Sequence, residues 1–183
     1  MRLLAAFGLA AALAAPAMAE CAKPEAIAAP KGEQAFTQTR ILKGLKRPIV
    51  STGVVLVDGE TVLWTVKEPI EIVTRITKTG VTQAVDGGAP EPLGPEGSDA
   101  VLVQSGLMDL LKGQLSALDT RYSVKRVARE KGEGWRLDMT PKGEQLKGWI
   151  AGLDVEGCNR IETVSIRQAN GDVMNVALSA PAG

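Results

Sequence analysis

The sequence predicts a mainly β protein of the α+β class, in which a single curved antiparallel sheet is covered by a helical lid. Three observations predict it. Apolar and polar residues alternate in short segments separated by turn signals, as in strands joined by hairpins. One central segment instead has apolar residues at a spacing of three to four, which indicates a single amphipathic helix. A long sheet with one apolar helix must curl until its inner face is covered, and this helix is the available cover.

The N-terminus has the features of a bacterial signal peptide that is cleaved after Ala19. Met1-Arg2 is a positive start, and residues 3–13 form an apolar run that is too short to span a bilayer. Residues 17–19 (Ala-Met-Ala) then supply small residues at the cleavage positions. The sequence therefore predicts export, and a periplasmic location for the mature protein.

The chain has two cysteines, Cys21 and Cys158. A lipid anchor on Cys21 is disfavoured, because lipidation requires a small residue directly before the cysteine and Glu20 stands there. Two cysteines in an exported chain most often pair, since the compartment is oxidising, so a Cys21–Cys158 disulfide is expected. The alternative is two unpaired buried thiols.

The predicted strands follow one another in an order that suits an antiparallel sheet in which each strand pairs with the next. Residues 20–32 are rich in Pro and Ala and are interpreted as a flexible lead-in, and residues 33–180 as the half-barrel domain. Asp58-Gly59 and Asn170-Gly171 are the strongest hairpin turn signals. The predicted strands before the helix are residues 34–43, 49–57, 60–67, 70–76 and 81–85. The predicted strands after it are residues 122–129, 135–139, 149–155, 163–166 and 173–178.

A helical insert is predicted around residues 98–118. Residues 86–97 contain too many Gly and Pro residues for regular structure, and Ser98 or Asp99 can cap the helix that follows. Gly106 and Gly113 each weaken this helix by about 1 kcal/mol relative to Ala, which allows it to split in two. A lid over a concave aliphatic sheet encloses either a solid core or a pocket. Composition alone favours the solid core.

Composition excludes several classes of function. With 21 basic and 21 acidic residues and no basic stripe, nucleic acid is not an expected partner. No stretch after the signal approaches about 18 continuous apolar residues, so stable membrane insertion is not expected. There is no histidine, and Asp138, Glu144 and Asp154 fall in separate segments without visible pairing. We therefore expect neither an enzyme nor a metal or other cofactor. The scarce aromatic residues and abundant Val, Ile and Leu suit alkyl chains better than flat rings.

Several short motifs, taken in order, give the chain a family resemblance. They are Phe36-Thr37-Gln38, Gly53, Trp64, Pro69, Trp135-Arg136-Leu137-Asp138-Met139-Thr140-Pro141-Lys142, Ile161-Glu162-Thr163-Val164-Ser165-Ile166 and Asn170-Gly171-Asp172. Across residues 33–179 the sequence resembles the LolA-like periplasmic carriers of outer-membrane lipoproteins. The resemblance implies that the sheet forms an incomplete β-barrel covered by a helical lid. Its aliphatic cavity would hold lipoprotein acyl chains, with an inner-membrane releasing complex and an outer-membrane receptor as partners.

Two departures from the family pattern make this a divergent member. Pro24, Pro30 and Gly32 leave little room for the long helix that the family has before its first strand. The family also has an Arg-Pro pair after the second strand, whose arginine helps to hold the lid, and Asp58-Gly59-Glu60 stand there instead. No residue is assigned that role, and a different acylated cargo is left open.

The leading function hypothesis is a monomeric carrier that acts without chemistry; the alternative is a structural or interaction protein of the cell envelope with a solid core. In the carrier, aliphatic faces of the strands and the helix would line the cavity. Which strand face points inward is inferred from a period of two, and one slip inverts the set. The residues expected to line the cavity are Val54, Leu56, Trp64, Val66, Ile72, Ile76, Leu107, Leu110, Leu111, Met139, Val164, Ile166, Met174 and Val176.

Overall fold

Eleven antiparallel strands form one curved sheet in the computed structural model, which describes residues 20–93 and 105–181. Sequence neighbours pair throughout, and pairing of the first strand with the last joins the two halves. Within the described residues the two edge strands do not pair with each other, so the sheet is not closed into a barrel, which confirms the predicted fold class. The strands are β1 (Gln34–Ile41), β2 (Ile49–Asp58), β3 (Thr61–Glu68), β4 (Ile72–Ile76), β5 (Val81–Val85), β6 (Glu91–Pro92), β7 (Tyr122–Val127), β8 (Trp135–Pro141), β9 (Ile150–Gly157), β10 (Ile161–Gln168) and β11 (Val173–Pro181).

The two strongest turn signals form hairpins, as predicted. Gly59 has a φ of 54° in the turn between β2 and β3, and Gly171 has a φ of 94° in the turn between β10 and β11. The second turn is also held by the side chain of Asn170, whose Oδ1 accepts a hydrogen bond from the backbone N–H of Asp172. The short strand β6 was not predicted. It lies in the predicted loop 86–97, and as an edge strand it tolerates Pro92, which has no N–H to donate.

Two glycines flank the described part of the apolar helix. The helix α1 (Leu107–Leu111) is followed by a 3-10 helix over Leu115–Thr120. Gly106 and Gly113 adopt φ angles of 79° and 73°, in the left-handed region that other residues avoid. The expected split therefore occurs at Gly113, between the two helical segments, and α1 begins directly after Gly106. The predicted start of the helix at Ser98 or Asp99 lies outside the described residues. A second short helix, α2 (Glu144–Lys147), lies between β8 and β9.

The lead-in, expected to be flexible, is packed against the domain. Cys21 and Cys158 form a disulfide, with a sequence separation of 137. A short 3-10 turn follows in which Pro24 is buried, and Ile27, only 8% exposed, joins the hydrophobic core. The disulfide and a hydrogen bond from the backbone N–H of Ala22 to Asn159 Oδ1 hold the start of this segment beside the turn between β9 and β10. The disulfide itself was predicted, and it fits an oxidising compartment.

The inner face of the sheet is filled differently in its two halves. Over β7, β8 and β9 the 3-10 helix closes a solid core in which Leu118, Tyr122 and Met139 are fully buried. The outer face of the same strands carries ion pairs, in which the buried carboxylate of Asp154 contacts Arg136 and Arg167. In the described part of the chain, no helix is long and apolar enough to cross a membrane.

Candidate ligand-binding cavity

A cavity of about 500 Å³ lies beneath α1, over the other half of the sheet. Its walls come from the inner faces of β1, β3, β4, β5, β10 and β11, and its roof from α1. Most of the lining is aliphatic, and none of the described lining residues is acidic. The lining residues are Gln38, Arg40, Trp64, Val66, Ile72, Thr74, Ile76, Val81, Gln83, Leu93, Leu107, Leu110, Leu111, Val164, Ile166, Met174, Val176 and Leu178.

One end of the cavity wall is shaped by a glycine and two aromatic rings. Phe36 on β1 lies directly opposite Gly53 on β2, and Val55 lies opposite Trp64 on β3. The rings of Phe36 and Trp64 stack with their centroids 4.1 Å apart. Because Gly53 has no Cβ, the ring of Phe36 can lie flat across it and reach Trp64, which lines the cavity.

Four polar side chains stand among the lining residues. On β4 and β5, Gln83 Nε2 donates a hydrogen bond of 3.1 Å to Thr74 Oγ1. On β1, Gln38 and Arg40 share the inward face with Phe36, and no hydrogen bond or ion pair joins either side chain to another residue of the described chain. Arg40 is exposed and lies opposite Met174 of β11. The arrangement can hold an alkyl chain beneath α1 and leave its polar end near β1.

The structure brings eleven of the fourteen expected residues together around this cavity. Their role in binding a ligand stays a prediction. They are Trp64, Val66, Ile72, Ile76, Leu107, Leu110, Leu111, Val164, Ile166, Met174 and Val176.

Val54 and Leu56 do not line the cavity, because they lie on the outer face of β2. The two-residue turn pairs Val57 with Val62 and therefore places Val55, not Val54, opposite Trp64. Val55 is accordingly buried at 1% exposure, whereas its two neighbours are half-buried. The prediction had shifted the alternation of inward and outward residues on β2 by one position, which exchanges the two faces of the strand.

Met139 is also absent from the lining, for a different reason. It does point to the inner face, but it lies on β8, where the 3-10 helix over Leu115–Thr120 and Tyr122 fill the space above the sheet. Its exposure is 0%, and it belongs to the solid core. The alternation of apolar and polar residues predicts on which face of a strand a residue lies, but not whether other side chains fill the space above that face.

Seven lining residues were not among the expected ones. Simple extension of the alternating pattern would have found most of them, since Thr74 lies between Ile72 and Ile76 on the same face and Leu178 follows Met174 and Val176. The preference for aliphatic residues hid the polar members. The seven are Gln38, Arg40, Thr74, Val81, Gln83, Leu93 and Leu178.

A smaller cavity of about 340 Å³ lies on the other side of α1, beneath the lead-in. Residues 27–31 and Gly113 contribute to its lining, together with β10 and β11. Leu110 and Leu111 line both cavities. Val164 of β10 and Leu178 of β11 also line both, so the two cavities adjoin where α1 packs on these strands.

The lid is held to the rest of the fold by polar contacts at both ends. Asp109 forms a 2.9 Å ion pair with Arg121, beyond the 3-10 helix. Lys112 reaches Glu60 in the turn between β2 and β3, at 3.4 Å. Hydrogen bonding from Lys78, with a further contribution from Lys112, holds the pKa of Glu60 below its usual value. Both ion pairs are partly exposed, so each contributes little to stability and allows the lid to open.

The segment before α1 is anchored by Tyr122. Its hydroxyl donates a 3.0 Å hydrogen bond to the carbonyl oxygen of Ser105, and burial raises the pKa of Tyr122 to about 12. Replacing Tyr122 by Phe is expected to lower the free energy of unfolding by about 1–2 kcal/mol, because it removes a buried hydrogen bond.

The same group makes stability depend on pH in the alkaline range. Below pH 10 the hydroxyl of Tyr122 is protonated in both the folded and the unfolded chain. Above pH 10 the unfolded chain releases this proton while the folded protein retains it up to its raised pKa of about 12, so stability falls with rising pH across that interval. Urea unfolding at pH 9 and pH 11 should show a smaller loss in Tyr122→Phe than in the wild type. An equal loss in both proteins would contradict the assignment.

The fold and the cavity define a class of protein: an open antiparallel sheet with a helical lid over an apolar space. A LolA superfamily protein from Nitrosomonas europaea is similar, with a TM-score of 0.45 and 9% identity over 87% of this chain and 90% of that chain. A domain from Vibrio parahaemolyticus, described as an outer membrane lipoprotein-sorting protein, has a TM-score of 0.39 and 12% identity over 81% of this chain and 83% of that chain. No protein-family model and no curated protein matches the sequence.

No group of His, Cys, Asp or Glu side chains in the described residues is arranged to hold a metal ion. The carboxylates Asp138 and Asp154 face each other across β8 and β9, but both lie on the outer face and contact Arg167. Glu144 is exposed and pairs with Lys147. The candidate site is therefore the cavity beneath α1.

Proposed function

We propose that this protein is a periplasmic carrier, which binds acyl chains of lipoproteins or of a related lipidic molecule in the cavity beneath α1 and ferries them toward the outer membrane. It acts by shielding the chain and catalyses no reaction. The observation that carries the proposal is the cavity itself: a space of about 500 Å³ with an aliphatic lining, a short lid and polar groups among its walls.

The size of the cavity suits one long alkyl chain. A volume of about 500 Å³ falls within the range of about 300–1,000 Å³ that small-ligand pockets span, which is enough for one long alkyl chain. Each methylene removed from water contributes about 0.8 kcal/mol, which keeps such a chain from crossing an aqueous compartment unshielded. Further acyl chains would require the smaller cavity, which shares Leu110, Leu111, Val164 and Leu178 with the larger one.

A carrier must also release its cargo, and the lid supports this. The helix α1 has one and a half turns and ends at glycines that can change conformation, and its ion pairs are partly exposed. Binding and release then require only a small displacement of α1 from the sheet. The proposal places the predicted signal peptide at residues 1–19, outside the described residues, and takes an inner-membrane releasing complex and an outer-membrane receptor as partners of a monomer.

Replacing Leu110 or Leu111 by Glu is expected to weaken the uptake of a fluorescent fatty acid more than tenfold. A charged carboxylate in the aliphatic roof must either lose its hydration or draw water into the cavity, and both oppose the binding of an alkyl chain. Leu45→Glu is the matched control, since Leu45 is 57% exposed in the loop between β1 and β2. Binding is measured by titration, and folding by circular dichroism.

A second variant is needed because Leu110 is only 2% exposed, and a buried glutamate there could abolish binding by unfolding the protein. Ile72→Trp keeps the site apolar but fills part of the cavity from β4, where Ile72 is half-buried. It should also reduce uptake. Failure of the wild-type protein to bind any amphiphile would refute the carrier and favour an interaction protein with a filled core.

A further inference from the structure

We propose that Arg40 is the head-group site of the cavity. Its guanidinium would pair with one acidic group, a carboxylate or a phosphate, at the end of an amphiphile whose alkyl chain lies beneath α1. The inference deepens the proposed function and rests on it, because it needs a chain in the cavity. It assigns the ligand class: a singly headed anionic amphiphile rather than a neutral or cationic one.

The position of Arg40 is the first argument. It lies near the end of β1, on the inward face, two residues from Gln38 and opposite Met174. Gln38, Met174 and Arg40 all line the cavity, and Arg40 is the exposed one of the three. The side chain therefore stands where the apolar lining meets water. A long side chain in this place packs its methylenes on apolar surface and presents its charge at the opening.

The second argument is the missing counter-ion. The arginines that pair with a carboxylate in the described structure are Arg121, Arg126, Arg129, Arg136 and Arg167. Arg160 instead donates to the carbonyl oxygen of Leu178. Among described residues, only Arg40, Arg47 and Arg75 have no such partner, and of these only Arg40 lines a cavity.

The third argument is the charge of the lining. Arg40 is its one charged residue within the described chain, and the other polar members are Gln38, Thr74 and Gln83. Thr74 and Gln83 bond to each other, whereas the amide of Gln38 stands beside Arg40 on the same face. A guanidinium binds a carboxylate or a phosphate through two parallel N–H donors, and an amide N–H can serve a further oxygen. A cationic head group would meet repulsion at the same place.

The test compares three ligands that share a sixteen-carbon chain and differ only in the head group. Palmitate, hexadecyl phosphate and hexadecanol are titrated against the mature protein by displacement of a fluorescent fatty alcohol. Arg40→Gln is expected to weaken palmitate and hexadecyl phosphate about tenfold and to leave hexadecanol unchanged, as expected for loss of a charge-assisted hydrogen bond. The matched control is Arg75→Gln, since Arg75 is an unpaired arginine on the opposite face of β4.

The source of the acidic group follows from the same data. Tighter binding of hexadecyl phosphate than of palmitate would assign a phosphate head group, and tighter binding of palmitate would assign a carboxylate. Either result supports the proposal if the anionic ligand binds the wild type more tightly than hexadecanol does and Arg40→Gln abolishes that difference in affinity. Binding of inorganic phosphate alone, with the same strength, would overturn it, because the alkyl chain would then play no part.

Two negative outcomes are distinguishable. If all three ligands bind and Arg40→Gln weakens them equally or not at all, the head-group site is wrong and the carrier function stands. If none binds to the wild type, the carrier function fails, and this inference fails with it. A loss of the same size in Arg75→Gln would also overturn the assignment, because it would show a general effect of charge.

Discussion

Replacing both Cys21 and Cys158 by serine is expected to lower the free energy of unfolding by about 4–5 kcal/mol. The disulfide joins residues 137 positions apart, so it closes most of the described chain into one loop. In the chain-entropy model, a loop of this length restricts the unfolded chain by about 5 kcal/mol. The native contacts of the sheet remain, so the variant should still fold, with a lower midpoint in urea.

Reduction of the wild-type protein supplies the control for this prediction. Dithiothreitol should lower the midpoint of the wild type to that of the double serine variant and should leave the variant itself unchanged. Limited proteolysis should also begin to cut within residues 22–32, since this segment would keep only its contacts through Pro24 and Ile27. If the double serine variant loses less than about 1 kcal/mol in the free energy of unfolding, the loop-closure estimate is wrong and those contacts alone hold the segment in place.

The sequence could predict the strands because its turn signals are local. Asp58-Gly59 and Asn170-Gly171 each fix a hairpin, and a hairpin fixes which residues face each other. A two-residue turn at Asp58-Gly59 or one residue later places Val55, not Val54, on the same face as Trp64, so the same logic would have prevented the error at Val54. This part of the candidate site was therefore within reach of the sequence.

Other parts of the site depend on contacts between distant residues. The cavity exists because β1 pairs with β11, which brings Arg40 beside Met174 across more than half of the chain. No local pattern indicates that pairing, or shows that the space above β8 is filled while the space above β4 is empty. The prediction for Met139 failed on this point. Only its place among the lining residues distinguishes Arg40 from Arg75.

Replacing Gly53 by alanine is expected to lower the free energy of unfolding by about 3 kcal/mol, at the upper end of what overpacking costs. A Cβ on Gly53 would fall on the backbone carbonyl oxygen of Thr65 and would lie 2.8 Å from Cζ of Phe36. The backbone of β3 cannot yield as a flexible side chain does. The pairing of β2 with β3 also shifts register between Thr52 and Gly53, a place where glycine permits close approach.

Gly143→Ala is the matched control, since a Cβ there meets no atom within 4 Å and its φ of -84° suits any residue. Its midpoint should equal that of the wild type, whereas Gly53→Ala should lose roughly 6–12 °C in thermal midpoint. The defect should also reach the cavity. Displacing Phe36 disturbs its stacking on Trp64, so the near-ultraviolet circular dichroism should change and fatty acid uptake should weaken. Equal midpoints for the two variants would show that β3 moves aside at no cost, and the tight contact at Gly53 would then not shape the cavity wall.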